Sequence, residues 1–525
     1  MANQSPEIEA LIPKRASDGG GDLEELGSSN PELGLRRSLS LVDGISVLVG
    51  IIIGSGIFTS PGVVLQDAGS VGLGLMAWVA AAFMALCSAL VYAELGAAIP
   101  QAGGNAEYFR IAFGDAWGFA FVWTMFFVLT NGSLAILTIT LSRYLVAGFV
   151  GLHIFEGDMS SDLTVKAVAI GCVVILTVWN CFGIHVGAKL QNIISVLKLL
   201  LISVLIVAAV VFVWDNPLVL EENFRKPFEG SNFSGFGVSC VAALWAFTGW
   251  GDLVFLTEEM KDPERDIPRG TVLPHHNSLF MTIELHPCAA SFHYSLSQSL
   301  TTLGTVVVKI TSAIHVIVSM WQLLLNAIYL CILPAAVVKT SAVVAIDAAD
   351  AALGPWAGSF MSILVAISLL GSANGIIICG ARYLYAAARH GQIFKSIGAV
   401  GTQSRAPYVA HLLQGLLCIL LLLQSSDFVE LVSFFGVSSY IFYGLTGAVH
   451  IKLRRDLPTL HRPYRVAFYP YAPLVVICFS LYLVISALMA QPKATSLSLS
   501  FIIVSFPVYY LSKKSPLSSS LTNNS

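Results

Sequence analysis

The stretch Gly50-Ile51-Ile52-Ile53-Gly54-Ser55-Gly56-Ile57-Phe58-Thr59-Ser60-Pro61 lies inside an apolar run from about Leu41 to Leu65. A run of this length is expected to cross a membrane as one helix, because hydrocarbon offers backbone groups no water partner. Gly54, Gly56 and Pro61 disfavour an unbroken helix. A broken helix is tolerated at this depth where its freed backbone lines a cavity and can hold an anionic ligand group. The alternative is a close helix crossing of small residues.

The rest of the chain has the composition of a membrane protein. Of its 525 residues, 56% are hydrophobic and 11% are charged, whereas soluble domains carry about 25% charged residues. Apolar runs of spanning length occur at 42–66, 72–97, 116–150, 165–185, 190–214, 235–258, 312–333, 357–386, 408–424, 428–450, 467–489 and 497–512. These runs predict an all-α integral membrane protein with about twelve transmembrane helices.

The domain organisation follows from these runs. Residues 1–38 are rich in Ser, Gly and acidic residues and are predicted to form a disordered cytosolic tail. Residues 39–512 form the membrane domain, and residues 513–525 a short cytosolic tail. If the N-terminus is cytosolic, about 20 of the 28 Lys and Arg residues fall on cytosolic segments, as the positive-inside rule requires. Both termini are therefore predicted to be cytosolic.

A second interrupted span supports the reading of the first. The sixth run contains Ala243-Leu244-Trp245-Ala246-Phe247-Thr248-Gly249-Trp250-Gly251-Asp252, where two glycines, a threonine and an aspartate interrupt an apolar helix. Four unbroken spans separate the two interrupted ones. This spacing is typical of two five-span repeats that each open with a broken helix. For the aromatic residues at the second break, ordinary packing is the alternative.

Two charged residues stand out within the spans. Lys198 lies among leucines in the fifth span, roughly nine residues from the nearer end, which is too deep for easy snorkelling. An intramembrane charge is expensive and is functional by default, so we interpret Lys198 as a fixed internal ammonium. Glu94 lies at the end of the second span, where a solvated interface carboxylate and a gating role are equally compatible with the sequence.

Several motifs in register resemble one family of carriers. Those motifs are Gly54-Ser55-Gly56-Ile57-Phe58, Tyr92-Ala93-Glu94-Leu95, Pro100 to Gly104, Thr257-Glu258-Glu259 with Asp262-Pro263-Glu264-Arg265, and Gly371-Ser372-Ala373-Asn374-Gly375. Together they resemble the amino acid–polyamine–organocation transporters, most closely the L-type, heteromeric light-chain amino acid transporters. The resemblance implies a twelve-span, LeuT-type fold, in which a five-plus-five inverted repeat is followed by two extra helices. It also implies sodium-independent amino acid transport by alternating access.

The resemblance also implies a substrate site at the two breaks. The backbone of the first break would receive the substrate carboxylate, and carbonyls around the second break would take its α-ammonium. Lys198 would occupy the place that a sodium ion takes in coupled relatives. The aromatic residues of the second break would pack on the substrate side chain, with small polar residues on neighbouring spans. The predicted substrate-binding residues are Ile53, Gly54, Ser55, Gly56, Ile57, Asn131, Trp245, Ala246, Phe247, Thr248, Gly249, Trp250 and Asn374.

Three departures from the family pattern matter. The loop from Gly151 to Leu163 lacks the cysteine through which animal light chains bond a heavy-chain glycoprotein, so a disulfide-linked partner is not expected. Asp252 after the second break is either a helix-start carboxylate or a contact for a cationic substrate. Residues of about 273–310 form an atypical insert with several histidines, which we interpret as a loose loop or translated non-coding sequence rather than a metal site.

The sequence therefore predicts a carrier of neutral, large L-amino acids in the plasma membrane, acting by exchange or facilitated transport. The alternative within membranes is a proton-coupled carrier of cationic amino acids or polyamines, which Asp252 would support. A membrane enzyme is not expected, because paired carboxylates, a Ser/His/Asp constellation and metal motifs are missing outside the insert. Apart from the substrate and the lipid bilayer, no cofactor, metal or nucleic-acid partner is predicted.

Overall fold

The computed structural model describes residues 54, 56–99, 104–151, 162–182, 184–248, 320–389, 393, 395–401, 406–425, 427–460, 462, 464–466 and 468–514. Every regular element within these ranges is helical, which confirms the predicted all-α class. Ile53, Ser55, Gly249, Trp250, Asp252 and the insert lie outside the described residues, as do the N-terminal tail and residues 515–525.

The first half of the chain forms the helices up to the second break. They are α1 (Gly56–Ala68), α2 (Val71–Ala98), α3 (Asn105–Phe113), α4 (Asp115–Thr124), α5 (Thr130–Gly151), α6 (Asp162–Cys181), α7 (Ile184–Asp215), α8 (Pro217–Arg225) and α9 (Phe236–Trp245). A π-helical turn, Met125–Leu129, joins α4 to α5.

The second half resumes at the seventh predicted span. Its helices are α10 (Met320–Ile332), α11 (Ala335–Thr340), α12 (Val344–Leu353), α13 (Pro355–Arg389), α14 (Tyr408–Gln424), α15 (Phe428–Asp456), α16 (Tyr471–Ala490) and α17 (Pro492–Lys514). A short 3₁₀ turn, Lys395–Gly398, precedes α14. The last helix ends two residues beyond the predicted boundary of the membrane domain.

The predicted spans correspond closely to these helices. Among the described residues, eight helices are long and apolar enough to cross a membrane, and three shorter apolar ones are α9, α10 and α14. The third span differs from the expectation of one uniform helix, since the π-helical turn interrupts it. A turn of this kind inserts one residue into the helical ladder and is frequent at functional sites.

Side-chain caps define where two of the spans begin. Ser70 accepts a hydrogen bond from the Leu73 amide at 3.3 Å and so starts α2. Asp427 does the same for the Glu430 amide at 2.9 Å and starts α15. Each cap satisfies one of the amides that a helix start leaves without an intrahelical partner. The ends of these spans are thus specified locally.

Close helix crossings position the elements of the site. A β-carbon built on Gly371 of α13 would lie 2.4 Å from Ile194 Cγ2 on α7, so the Ile194 side chain packs directly onto the backbone of α13. One built on Gly62 of α1 would lie 2.7 Å from the Val338 carbonyl oxygen of α11. The Lys339 ammonium also donates to the Gly69 carbonyl at 2.7 Å. The α11 segment therefore covers one end of α1.

Candidate functional site

The two sequence breaks meet in the structure. Gly54 lies in a bend and α1 begins at Gly56, while α9 ends at Trp245. A β-carbon built on Gly56 would lie 2.3 Å from Ala246 Cα and 2.8 Å from Ala246 N. Real β-carbons never approach backbone that closely, so only glycine permits this contact. The start of α1 is therefore pressed directly against the end of α9.

This juxtaposition brings together helix ends of opposite polarity. The first turn of α1, Gly56 to Phe58, presents amides that a helix start leaves without an intrahelical acceptor, and this end carries a partial positive charge. The last turn of α9 presents carbonyls and carries a partial negative charge. A molecule with a carboxylate at one end and an ammonium at the other complements such a pair of ends.

The carbonyls at the second break already have donors. Ala243, Leu244 and Trp245 accept from the amides three residues on, at 3.0 to 3.3 Å, which tightens the end of α9. Trp245 O also accepts from the Thr248 hydroxyl at 2.8 Å. Ala246 O accepts from the side-chain amide of Gln322, on α10, at 2.6 Å. Sequence reasoning missed Gln322, whose only signal was a glutamine midway along an apolar run.

The aromatic residues at the break pack against neighbouring helices. Trp245 lies edge-on to Phe435 of α15, with ring centroids 4.8 Å apart. Phe247 lies edge-on to Trp78 of α2, with ring centroids 5.9 Å apart. Both side chains are buried. Such edge-to-face pairs hold the rings in fixed orientations, so Trp245 and Phe247 form rigid apolar walls beside the break.

The small polar residues predicted on neighbouring spans are engaged with backbone and with each other. Asn131 donates to the Phe126 carbonyl at 2.5 Å across the π-helical turn, and Thr130 donates to the Met125 carbonyl at 2.9 Å. These two side chains donate to carbonyls of the π-helical turn, in addition to the Thr130 amide that already donates to the Met125 carbonyl. Asn374 of α13 accepts from Asn180 of α6 at 2.8 Å. Asn374 therefore ties two helices together, and its place beside a substrate stays a prediction.

Lys198 is buried in the middle of α7, with only 1% of its surface exposed. Its ammonium donates to the Ser372 hydroxyl of α13 at 2.7 Å. That contact depends on the close crossing at Gly371, one residue earlier. The structure therefore places the ammonium inside the bundle, and a snorkelling position at the membrane surface is not what it adopts.

The structure contradicts one of the two interpretations of Glu94 that the sequence allows. The solvated interface carboxylate is wrong, because only 1% of the side chain is exposed. The Arg454 guanidinium of α15 donates to both carboxylate oxygens of Glu94. The Arg462 guanidinium lies 3.4 Å from the carboxylate, and the Val466 amide donates to it at 2.7 Å. His450 Nε2 also lies 3.1 Å from the carboxylate. Glu94 joins α2 to α15 and to the segment that follows it.

The charge around Glu94 comes from its own carboxylate and from the guanidinium groups of Arg454 and Arg462. Burial, together with the nearby Glu94 carboxylate, raises the pKa of Tyr464 to about 12, so that phenol stays neutral. Arg454 also lies over the ring of Tyr469, 4.1 Å from its centroid. Removing the Glu94 charge would leave two partly buried cations, Arg454 and Arg462, without this counter-charge.

We expect Glu94→Gln to destabilise the protein strongly. Breaking a buried pair by removing one partner costs about 3–5 kcal/mol, because the remaining charges stay buried. The apparent unfolding temperature in detergent should fall clearly. The matched control is Glu229→Gln, since Glu229 pairs with Lys226 at 3.1 Å on an exposed surface and exposed pairs contribute little. Equal unfolding temperatures for the two variants would contradict the structural role of Glu94.

The chain is similar to known proteins over most of its length. The amino acid permease family model matches residues 39–511. The chain is 28% identical over 478 residues to the b(0,+)-type amino acid transporter 1 of Mus musculus, covering 91% of this chain and 88% of that protein. It is 29% identical over 502 residues to the large neutral amino acids transporter small subunit 2 of Homo sapiens, covering 94% and 84%. These matches confirm the predicted resemblance and exclude the enzyme class.

A solved structure supports the fold. The crystal structure of MhsT in complex with L-phenylalanine superposes with a TM-score of 0.53 at 14% sequence identity. The match covers 89% of this chain and 99% of that one. Together with the membrane-spanning helices, it confirms the predicted inverted-repeat transporter architecture. The protein is therefore an integral, multi-pass membrane protein.

Proposed function

Since this chain belongs to the amino acid permease family, whose members transport amino acids, we propose that it carries large neutral L-amino acids without sodium, by alternating access. The observation that carries the proposal is the contact between the start of α1 and the end of α9. Gly56 against Ala246 places the amide end of α1 beside the carbonyl end of α9. An α-amino acid has the two charges that such a pair of ends attracts.

The preference for large neutral side chains rests on the residues around the break. Ile57, Trp245 and Phe247 are apolar and buried, and burying an apolar side chain against them contributes roughly 1.5–3 kcal/mol. A glutamate side chain would bring a carboxylate without a partner into these surroundings. One relative is named for the transport of large neutral amino acids, which is consistent with this preference. Asp252, the feature of the cationic alternative, lies outside the described residues.

Sodium independence rests on Lys198. Its ammonium lies inside the bundle, where it donates to the Ser372 hydroxyl between α7 and α13. A fixed cation of this kind can supply the charge that a bound sodium ion would otherwise supply. We therefore propose that transport is driven by the substrate gradients, through exchange or facilitated transport.

Location and partners follow the same reasoning. We propose that the protein acts in the plasma membrane with both termini cytosolic, as the Lys and Arg distribution favours. One relative is named as a small subunit. Residues 151–163 contain no cysteine, so we propose that this chain has no disulfide-linked subunit at that loop.

Competition in proteoliposomes tests the proposed substrate class. With purified protein and labelled leucine, unlabelled leucine and phenylalanine should inhibit uptake at concentrations at least about tenfold lower than glutamate, a difference of about 1.4 kcal/mol. Uptake should be the same with and without a sodium gradient. Arginine is expected to compete weakly, through contact with aromatic faces. Preferential uptake of arginine or a polyamine, driven by a proton gradient, would replace this proposal with the cationic one.

A further inference from the structure

Gln322 is a polar side chain in the middle of the seventh span that sequence motifs do not account for. It is the third residue of α10, and only 1% of its surface is exposed. A carboxamide at this depth costs free energy unless its donors and acceptor are satisfied. Its surroundings are the second break, since its nearest polar contact is the backbone of Ala246. The side chain therefore belongs to the same region as the two helix ends.

The orientation of the carboxamide is determined by chemistry. Its nitrogen lies 2.6 Å from the Ala246 carbonyl oxygen. Two oxygens at that distance would repel, so the atom facing the carbonyl has to be the donor nitrogen. Asn326 donates to the main-chain carbonyl of Gln322 at 2.8 Å, which leaves the Gln322 side chain untouched. The amide nitrogen is thereby committed to the break.

The oxygen of the same carboxamide has no donor among the described residues. Oε1 is fully buried and receives no hydrogen bond from any residue that the structure describes. It is bonded to the same carbon as the nitrogen that holds Ala246, so it lies beside the end of α9. A buried acceptor without a donor is costly, and native proteins usually reserve such groups for a ligand or for function. An acceptor here adds to the partial negative charge of the helix end.

We propose that Gln322 Oε1 accepts a hydrogen bond from the α-ammonium of the transported amino acid, a binding role that rests on the function proposed above. The nitrogen of Gln322 holds the carboxamide on Ala246 O, and the oxygen faces the charged end of the substrate. A carboxylate would be repelled by this oxygen and by the carbonyls of α9. Gln322 thus makes the substrate bind with its ammonium at α9 and α10 and its carboxylate at α1.

A structural role and a binding role of Gln322 predict different effects when its side chain is removed. If Gln322 only holds the second break in shape, its loss weakens every ligand of the site equally. If its oxygen contacts the ammonium, its loss weakens only ligands that carry an ammonium. The useful measurement is therefore a ratio, the inhibition constant of 4-methylpentanoate divided by that of leucine. These two compounds differ only in the α-amino group.

The experiment uses full-length protein in proteoliposomes and three variants. Gln322→Met keeps the length of the side chain and removes both polar atoms, and we expect it to lower the ratio by about tenfold to a hundredfold, as for the loss of a hydrogen bond to a charged group. The matched control is Asn326→Leu, one turn further along α10. Because Asn326 bonds its own helix, this control should leave the ratio within about twofold of the parental value.

Gln322→Glu tests the roles of the carboxamide oxygen and nitrogen separately. It keeps an acceptor oxygen but cannot donate to Ala246 O unless protonated, so uptake should slow while the ratio stays at or above the parental value. This variant also decides the question if Gln322→Met does not reach the membrane. The inference about Gln322 is wrong if Gln322→Met has the same ratio as the parent. It is also wrong if the ratio of Gln322→Glu falls by about tenfold, and in both cases the proposed function itself still stands. If neither leucine nor 4-methylpentanoate inhibits uptake by the parental protein, the proposed function is wrong as well.

Discussion

Alanine in place of Gly56 is expected to reduce amino acid uptake by at least about tenfold, since forcing one extra carbon into a packed contact costs about 1–3 kcal/mol. Its β-carbon would lie 2.3 Å from Ala246 Cα and 2.5 Å from Ala246 Cβ. Ala246 cannot yield cheaply, because its backbone is the end of α9 and its carbonyl is held by Gln322. The two helix ends would have to separate, and their complementarity to a zwitterion would be lost.

The matched control is Gly171→Ala in α6. A β-carbon on Gly171 meets nothing within 4 Å, so this variant should insert and transport at the parental rate. Both variants are quantified by surface labelling, and uptake of labelled leucine is measured per molecule in the membrane. Valine at position 56, which is branched at its β-carbon, should be at least as damaging as alanine. Parental uptake by Gly56→Ala would show that the contact between α1 and α9 is not part of the site.

Lys198→Met is expected to reduce uptake by at least about tenfold, because an intramembrane charge of this kind is retained for function. The substitution keeps the length of the side chain and removes the ammonium that donates to Ser372 at 2.7 Å. The buried hydroxyl then loses its charged donor, and α7 and α13 lose the fixed positive charge between them. Uptake of labelled leucine should fall, while the amount of protein in the membrane stays close to the parental amount.

Lys166→Met serves as the matched control for this variant. Lys166 lies in α6 and pairs with the exposed carboxylate of Asp162 at 3.0 Å, and pairs at the surface contribute little. Its loss should change uptake by less than about twofold. A second test uses the parental protein, whose uptake should not respond to a sodium gradient. A sodium-stimulated parent, or a Lys198→Met variant as active as Lys166→Met, would refute the role given to the ammonium.

Local chemistry determined the spans and the breaks. Long apolar runs become helices in hydrocarbon because the backbone has no other way to satisfy its hydrogen bonds. Glycines interrupt those helices because they tolerate other backbone conformations. The predicted 72–97 and 428–450 runs therefore correspond to α2 and the first part of α15, and the breaks fall before Gly56 and after Trp245. Each of these features depends on residues within one or two helical turns of each other.

Contacts between distant parts of the chain were decided only by the tertiary structure. The sequence leaves Glu94 equally compatible with a solvated carboxylate and with a gating role, yet its partner Arg454 lies 360 residues later in the chain. Gln322 reads as an isolated polar residue, and its partner Ala246 lies 76 residues earlier. Whether a buried polar group is paired depends on which helices cross beside it. Helix crossings depend on the packing of all the spans together, so no local pattern in this sequence determined those partners.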